Sequence, residues 1–173
     1  MPIYNITGID PGLVDTGVVD LHFDTNNKRL YREIEVFRAG PVTLSSSEIP
    51  RLIKAWQVQH PPMSVSSRHC FIEGYRPRAH LGTDKRMAEL VRDIQTKTKG
   101  KVLANTGIKS VVKKDLLIML NCWQFGLPTH HDDLRSAARI LVLGMLKDPV
   151  LNEVVATFVR DYLDGVQWEI STV

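Results

Sequence analysis

The 173-residue chain has little of what would set it apart from ordinary globular proteins. It holds only two cysteines, Cys70 and Cys122, far apart and without metal-ligand spacing, which speaks against a disulfide framework or a cysteine-based zinc site. Two reduced, buried thiols in a cytoplasmic protein are the expectation. Long hydrophobic runs are missing too: the most apolar stretch, Ile140 to Met145, is far too short to span a bilayer. The opening MPIYNITGID lacks a basic n-region, so no membrane partner is expected. No internal repeat, low-complexity tract or linker interrupts the chain. A single domain over residues 1–173 is therefore expected, long enough to bury a core without disulfides or structural metal.

Charge is scarce in the sum but not in its distribution. The net charge is +3, with 43% hydrophobic and 24% charged residues. Between Arg76 and Lys114, however, eleven Lys and Arg face only Asp84, Glu89 and Asp93. Such a concentration repels itself unless it meets a polyanion, and nucleic-acid contact is the natural reading.

The first third of the chain reads as strands. Ile3 to Ile9 is apolar, Thr16 to Phe23 alternates, and Leu30 to Phe37 alternates again, with Asp24-Thr25-Asn26-Asn27 as a hairpin turn. Ser45-Ser46-Ser47-Glu48 opens a helix that Pro61-Pro62 ends. A short buried strand follows at Arg68 to Gly74. Thr83-Asp84 then caps a helix reaching about Lys97, and Lys101 to Ala104 forms another strand. Ile108 to Leu120 reads as one helix. A longer helix starts at or near His130, with Leu134, Ala137, Ala138, Leu141, Val142 and Met145 on one face, and Leu151 to Leu163 makes the last. This order predicts an α/β fold with one mixed sheet flanked by helices.

Acidic residues sit where apolar segments end. Asp10 runs straight into Pro11-Gly12, Glu73 ends the fourth strand after Cys70-Phe71-Ile72, and Asp132-Asp133 open the long helix beside His130-His131. Each has an ordinary explanation as a turn, strand-end or helix-capping residue. If strands one and four are neighbours and the helix crosses them, all three positions converge at one sheet edge. Clustered carboxylates repel unless a hard divalent cation neutralises them.

Four segments, GIDPGLVDTGVV at 8–19, FIEGYRPR at 71–78, NTGIKSVVKKDLL at 105–117 and THHDDLRSAARI at 129–140, resemble the RuvC-type Holliday junction resolvases of the ribonuclease H-like (retroviral-integrase) superfamily. The likeness is greatest to the smaller resolvases carried by bacteriophages, and it spans roughly residues 3–147. It implies a five-stranded ribonuclease H-like sheet, three antiparallel strands then parallel ones, with a C-terminal helical extension at about 151–165. It also implies an endonuclease that cuts four-way DNA junctions with two Mg²⁺ ions, for which Mn²⁺ can substitute. Asp10 and Glu73 match the first two catalytic carboxylates. His130 and Asp133 match the last pair, with Asp132 an extra acid that a one-residue shift would make the ligand instead. In that scheme Asp10 bridges the metals, Glu73 binds one, and Asp133 binds the other, with His130 either beside it as a ligand or orienting the water. Arg76 stands where several members carry a junction-wedging aromatic, so the neighbouring Tyr75 is the candidate wedge. Arg76, Arg78, Lys85, Arg86, Lys109, Lys113 and Lys114 are expected to grip DNA, the last three as a stripe on one helix. A homodimer formed through the Met87 to Thr96 helix is also implied. Other nuclease substrates (flaps, forks, RNA) and a silent junction-binding module are the alternatives. An actin-like ATPase is disfavoured, because the chain lacks a second phosphate loop and the length of such folds.

Overall fold

The computed structural model describes residues 3–38, 48–59, 67–76 and 81–172. The proposed Ser45–Ser47 cap, the Pro61-Pro62 stop and Arg78 lie outside them. The strands β1 (Ile3–Asp10), β2 (Asp15–Asp24) and β3 (Arg29–Arg38) form an antiparallel meander. Its β2–β3 turn is held by Asp24, whose Oδ1 accepts from the backbone N–H groups of Asn26 and Asn27, both at 3.1 Å. Helix α1 (Ile49–Gln59) leads to β4 (Ser67–Glu73), which returns parallel to β1, Ile9 opposite Ile72. Helix α2 (Leu81–Thr98) then leads to β5 (Lys101–Leu103), parallel to β4.

The segment expected as one helix from Ile108 to Leu120 is two short ones, α3 (Ile108–Val111) and α4 (Lys114–Met119). Between them Val112 and Lys113 are extended, because the chain turns outward to bury Val112 in the core. The lysine stripe is broken as a result: Lys109 and Lys114 sit on different helices. Helices α5 (His131–Lys147) and α6 (Pro149–Leu163) follow, the latter capped by Asp148, whose Oδ1 accepts from Val150 N–H at 3.0 Å. A final strand that the sequence pattern did not suggest, β6 (Glu169–Thr172), pairs parallel with β3 and makes the sheet six-stranded, in the order β5-β4-β1-β2-β3-β6. Trp168 steers it there, packing edge-on against Phe158 at 4.9 Å and Phe23 at 6.3 Å. No helix of the described residues is long and apolar enough to cross a membrane.

Strand alternation sorts the core into two layers. Ile6, Val19, Leu21, Phe23 and Phe71 face α5 and α6, whereas Ile9, Val18 and Ile72 face α1 and α2 with Ile53, Trp56, Leu90 and Ile94. Helix α5 lies unusually close to the sheet. A Cβ on Gly8 would fall 2.2 Å from the Ala137 carbonyl oxygen, one on Gly17 would fall 2.8 Å from that of Asp133, and one on Gly144 would fall 2.2 Å from the Phe71 ring. The glycines on strand and helix are what permit this approach.

The α1 face also holds a buried polar cluster. Asp20, directly across from Glu33 on the next strand, accepts a hydrogen bond from Asn5 at 3.0 Å. Burial pushes the Asp20 carboxyl up to about 6, against hydrogen bonds from Thr7 and Asn5 that favour its charge. A carboxyl raised in the folded state favours folding less as pH climbs from the unfolded value through the folded one.

Two outcomes are expected. Gly144→Ala should lower stability by about 1–3 kcal/mol in urea unfolding, because the rigid Phe71 ring has little room to yield. Wild type should lose stability relative to Asp20→Asn between about pH 4 and pH 6, and the two curves should run parallel above that window.

Candidate active site

Alternation along β1 decides where Asp10 points. Ile6 and Gly8 face α5, so Asp10, two residues on, emerges on the same side at the strand's end. The same argument applied from Phe71 puts Glu73 on that side of β4. Because Ile9 pairs with Ile72, the two carboxylates leave adjacent parallel strands side by side. Asp133 arrives from above, in the first turn of α5, where its backbone rests on Gly17. The turn after Asp10 is fixed locally. Gly12 N–H donates to Thr16 Oγ1 at 3.2 Å, that hydroxyl donates back to Gly12 O at 3.1 Å, and a Cβ on Gly12 would meet the Asp15 carbonyl oxygen at 2.1 Å.

The electrostatics follow from this crowding. Burial, a hydrogen bond with Glu73, and the charges of Glu73 and Asp133 push the Asp10 carboxyl up to about 9. Burial and the two neighbouring acids all favour the protonated form of Asp10. All-oxygen donors that repel one another when ionised are the donor set a hard divalent cation takes. Asp10 and Glu73, which share a hydrogen bond, offer such oxygens, with Asp133 near enough to act on Asp10 through its charge.

The remaining expected residues fall into distinct places. His130, in the left-handed region at φ 66°, brings Nδ1 to 3.1 Å from Asp133 Oδ2 and 3.7 Å from Asp15 Oδ2. Arg38 contacts the His130 ring and lies 3.5 Å from Asp15. Asp15, His130 and Asp133 could themselves hold an ion, their ligand atoms all lying within 4.8 Å. The Asp132 side chain is fully exposed, paired only with Arg135 at 3.7 Å, and is not brought to the cluster. Tyr75 and Arg76 line a cleft of about 470 Å³ with Asp10, Glu73, Met87 and Asn105. Tyr75 is half-buried against the α1–α2 core, whereas Arg76, Lys85, Arg86 and Lys113 are exposed. Lys114 turns away, its Nζ 4.8 Å from the Trp123 ring centre.

Two contributors escaped the sequence reading. Asn105 donates from Nδ2 to Glu73 Oε1 at 2.5 Å, holding that carboxylate from the loop after β5. It lies inside the NTGIKSVVKKDLL segment, whose lysines drew attention instead. Asp15 was likewise present in the opening motif, but the β2 register was needed to turn it toward His130.

No family model and no curated protein sequence matches the chain. Its architecture does match solved structures. Thermus thermophilus RuvC in complex with a Holliday junction substrate is 14% identical, with 80% of this chain and 92% of that chain covered and a TM-score of 0.54. The yeast mitochondrial Holliday junction resolvase Ydc2 is 12% identical, with 96% and 85% covered and a TM-score of 0.52. At this identity the likeness shows the fold alone, a ribonuclease H-like mixed sheet flanked by helices. Within this sheet, Asp10 and Glu73 stand at the C-terminal ends of the neighbouring parallel strands β1 and β4.

A divalent cation bound at Asp10 would have to displace the carboxyl proton, so its affinity should tighten by up to about tenfold per pH unit below about pH 9. Titration calorimetry in buffers of different ionisation enthalpy should detect the released proton at pH 7.5, and Asp10→Asn should abolish the release.

Proposed function

We propose that the chain is a divalent-metal-dependent endonuclease that resolves four-way DNA junctions. The observation that carries this reading is the pairing of Asp10 with Glu73, within reach of the Asp133 charge, in a cleft that Arg76 also lines. The two resolvase likenesses are consistent with it.

Asp10, Glu73 and Asp133 would hold Mg²⁺ or Mn²⁺ there. When bound, such ions supply an activated water and neutralise charge on the leaving oxygen of a phosphodiester. The protein's own groups do the positioning. Asn105 fixes Glu73, and His130, within hydrogen-bond distance of Asp133, fixes that carboxylate in turn. Arg76 and Lys109 bind phosphates on either side of Glu73, since each lines a cleft that touches it. These contacts position a backbone without reading sequence, so a branched substrate is recognised by shape. Cutting both opposing strands of a junction requires two such sites related by a two-fold axis, hence a homodimer.

A synthetic four-way junction should be cut in Mg²⁺ and left intact in EDTA, and faster than a flap, a fork or an RNA of matched sequence. Asp10→Asn and Glu73→Gln should abolish cutting while leaving binding largely intact. Asp133→Asn should lose at least about a hundredfold in rate, whereas the exposed Asp132→Asn should stay within a few-fold of wild type. Equal losses at the two positions would rule out this assignment.

A further inference from the structure

A second cleft, of about 530 Å³, lies on the other side of Glu73 and shares Glu73 and Asn105 with the first. One wall is the β5–α3 loop and α3, with Gly107, Lys109 and Ser110. The other is the flank of α5, with Ser136 and Arg139. On α5 these two follow Asp133 at i+3 and i+6, so they wind away from the carboxylate cluster along one side of the helix. Nothing in the sequence reading singled them out.

Arg139 is the anomaly. Its guanidinium is drawn in beside Trp123, 5.7 Å from the ring centre, and its Nε is buried without a hydrogen-bond acceptor. Neither Arg139 nor Lys109 forms an ion pair with a carboxylate among the described residues. A buried N–H of a charged group left without an acceptor is costly, and the natural remedy is an anion from outside the chain. The same tryptophan also has Arg135 at 3.9 Å and Lys114 at 4.8 Å from its ring centre, so three cations gather around it. An oxyanion entering the cleft would meet a cation on each wall, Arg139 and Lys109, and the Ser136 hydroxyl.

We propose that this cleft is a phosphate subsite for DNA. It would be filled by the backbone phosphate of the strand that presents its neighbouring phosphate to Asp10 and Glu73, with Arg139 as the anchor. The assignment rests on the nuclease reading for the identity of the strand. The anion chemistry itself comes from the unsatisfied guanidinium and its cationic surroundings. Trp123 backs the guanidinium and restricts its rotation, as arginine–aromatic stacking does. The functional consequence is register, because a phosphate seated here sets which bond lies over the carboxylates.

The test is binding of the full chain to a four-way junction in EDTA, so that no turnover is needed. Arg139→Gln should weaken binding about tenfold and flatten the slope of log affinity against log salt by about 0.9, the value for one lost duplex phosphate contact. Arg139→Lys should restore the slope but only part of the affinity. Lys109→Gln, at an exposed position where misfolding is no concern, should flatten the slope equally. Replacing single phosphates around the cut by neutral methylphosphonates should reveal one, next to the cut, whose loss weakens wild type and leaves Arg139→Gln unaffected.

An unchanged slope in Lys109→Gln together with folded Arg139→Gln would overturn the subsite. So would a methylphosphonate penalty that is the same in Arg139→Gln as in wild type at every position. Binding of inorganic phosphate that Arg139→Gln abolishes, with no response of DNA binding to either substitution, would make the occupant free phosphate and overturn the DNA assignment. If the junction is bound but never cut, the nuclease reading fails, while the salt slopes still decide the subsite.

Discussion

Everything in the active-site region depends on how near α5 comes to the sheet. The helix crosses β1 and β2 over Gly8 and Gly17, close enough that a single methyl group at either would collide with helix backbone. That distance converts a sequence position, Asp133, into a neighbour of Asp10. With alanines on the strands the helix would ride higher, and the first turn of α5 would carry its carboxylate away from the β1 and β4 ends. The glycines therefore matter less for backbone freedom than for what they leave out.

The close approach creates an electrostatic problem that the fold does not solve by itself. Asp10 is held by burial and by two like-charged neighbours in a protonated state, although isolated aspartate would be ionised. Around this conflict the surroundings are stiff. Thr16 pins the turn behind Asp10, Asn105 holds Glu73, and His130 links Asp133 to Asp15. Carboxylates held rigidly against mutual repulsion leave little to rearrange should a cation arrive.

Much of this was legible in the sequence, and the reasons differ from residue to residue. Asp10 and Glu73 stood out because each ends an apolar strand, where a carboxylate has no packing role. The α5 face was legible from its 3.6-residue period, and every residue assigned to it is buried. The choice between Asp132 and Asp133 was not, since helical rotation by one residue leaves the local pattern acceptable. Only the seating of Asp133 on Gly17 settles which one faces inward. The break between α3 and α4 was hidden because Val112 and Lys113 are ordinary helix residues, and the tertiary demand to bury Val112 overrode propensity. Strand β6 was missed for the opposite reason: four residues carry too little pattern, and their place is set by Trp168 reaching Phe158 and Phe23. Asn105 and Arg139 are contributions of the third dimension alone.

The central pairing of β1 with β4, roofed by α5, has a consequence for the chain during its synthesis. Asp10, Glu73 and Asp133 are spread over 123 residues of sequence, so on a ribosome adding about 5–20 residues per second the last follows the first by roughly 6–25 seconds. Until α5 has emerged, the sheet exposes an apolar face with Asp10 and Glu73 at its edge and no Asp133 above them. The cluster that crowds three acids together cannot assemble on a fragment. Truncated products of translation consequently carry the basic segment without the assembled acidic centre.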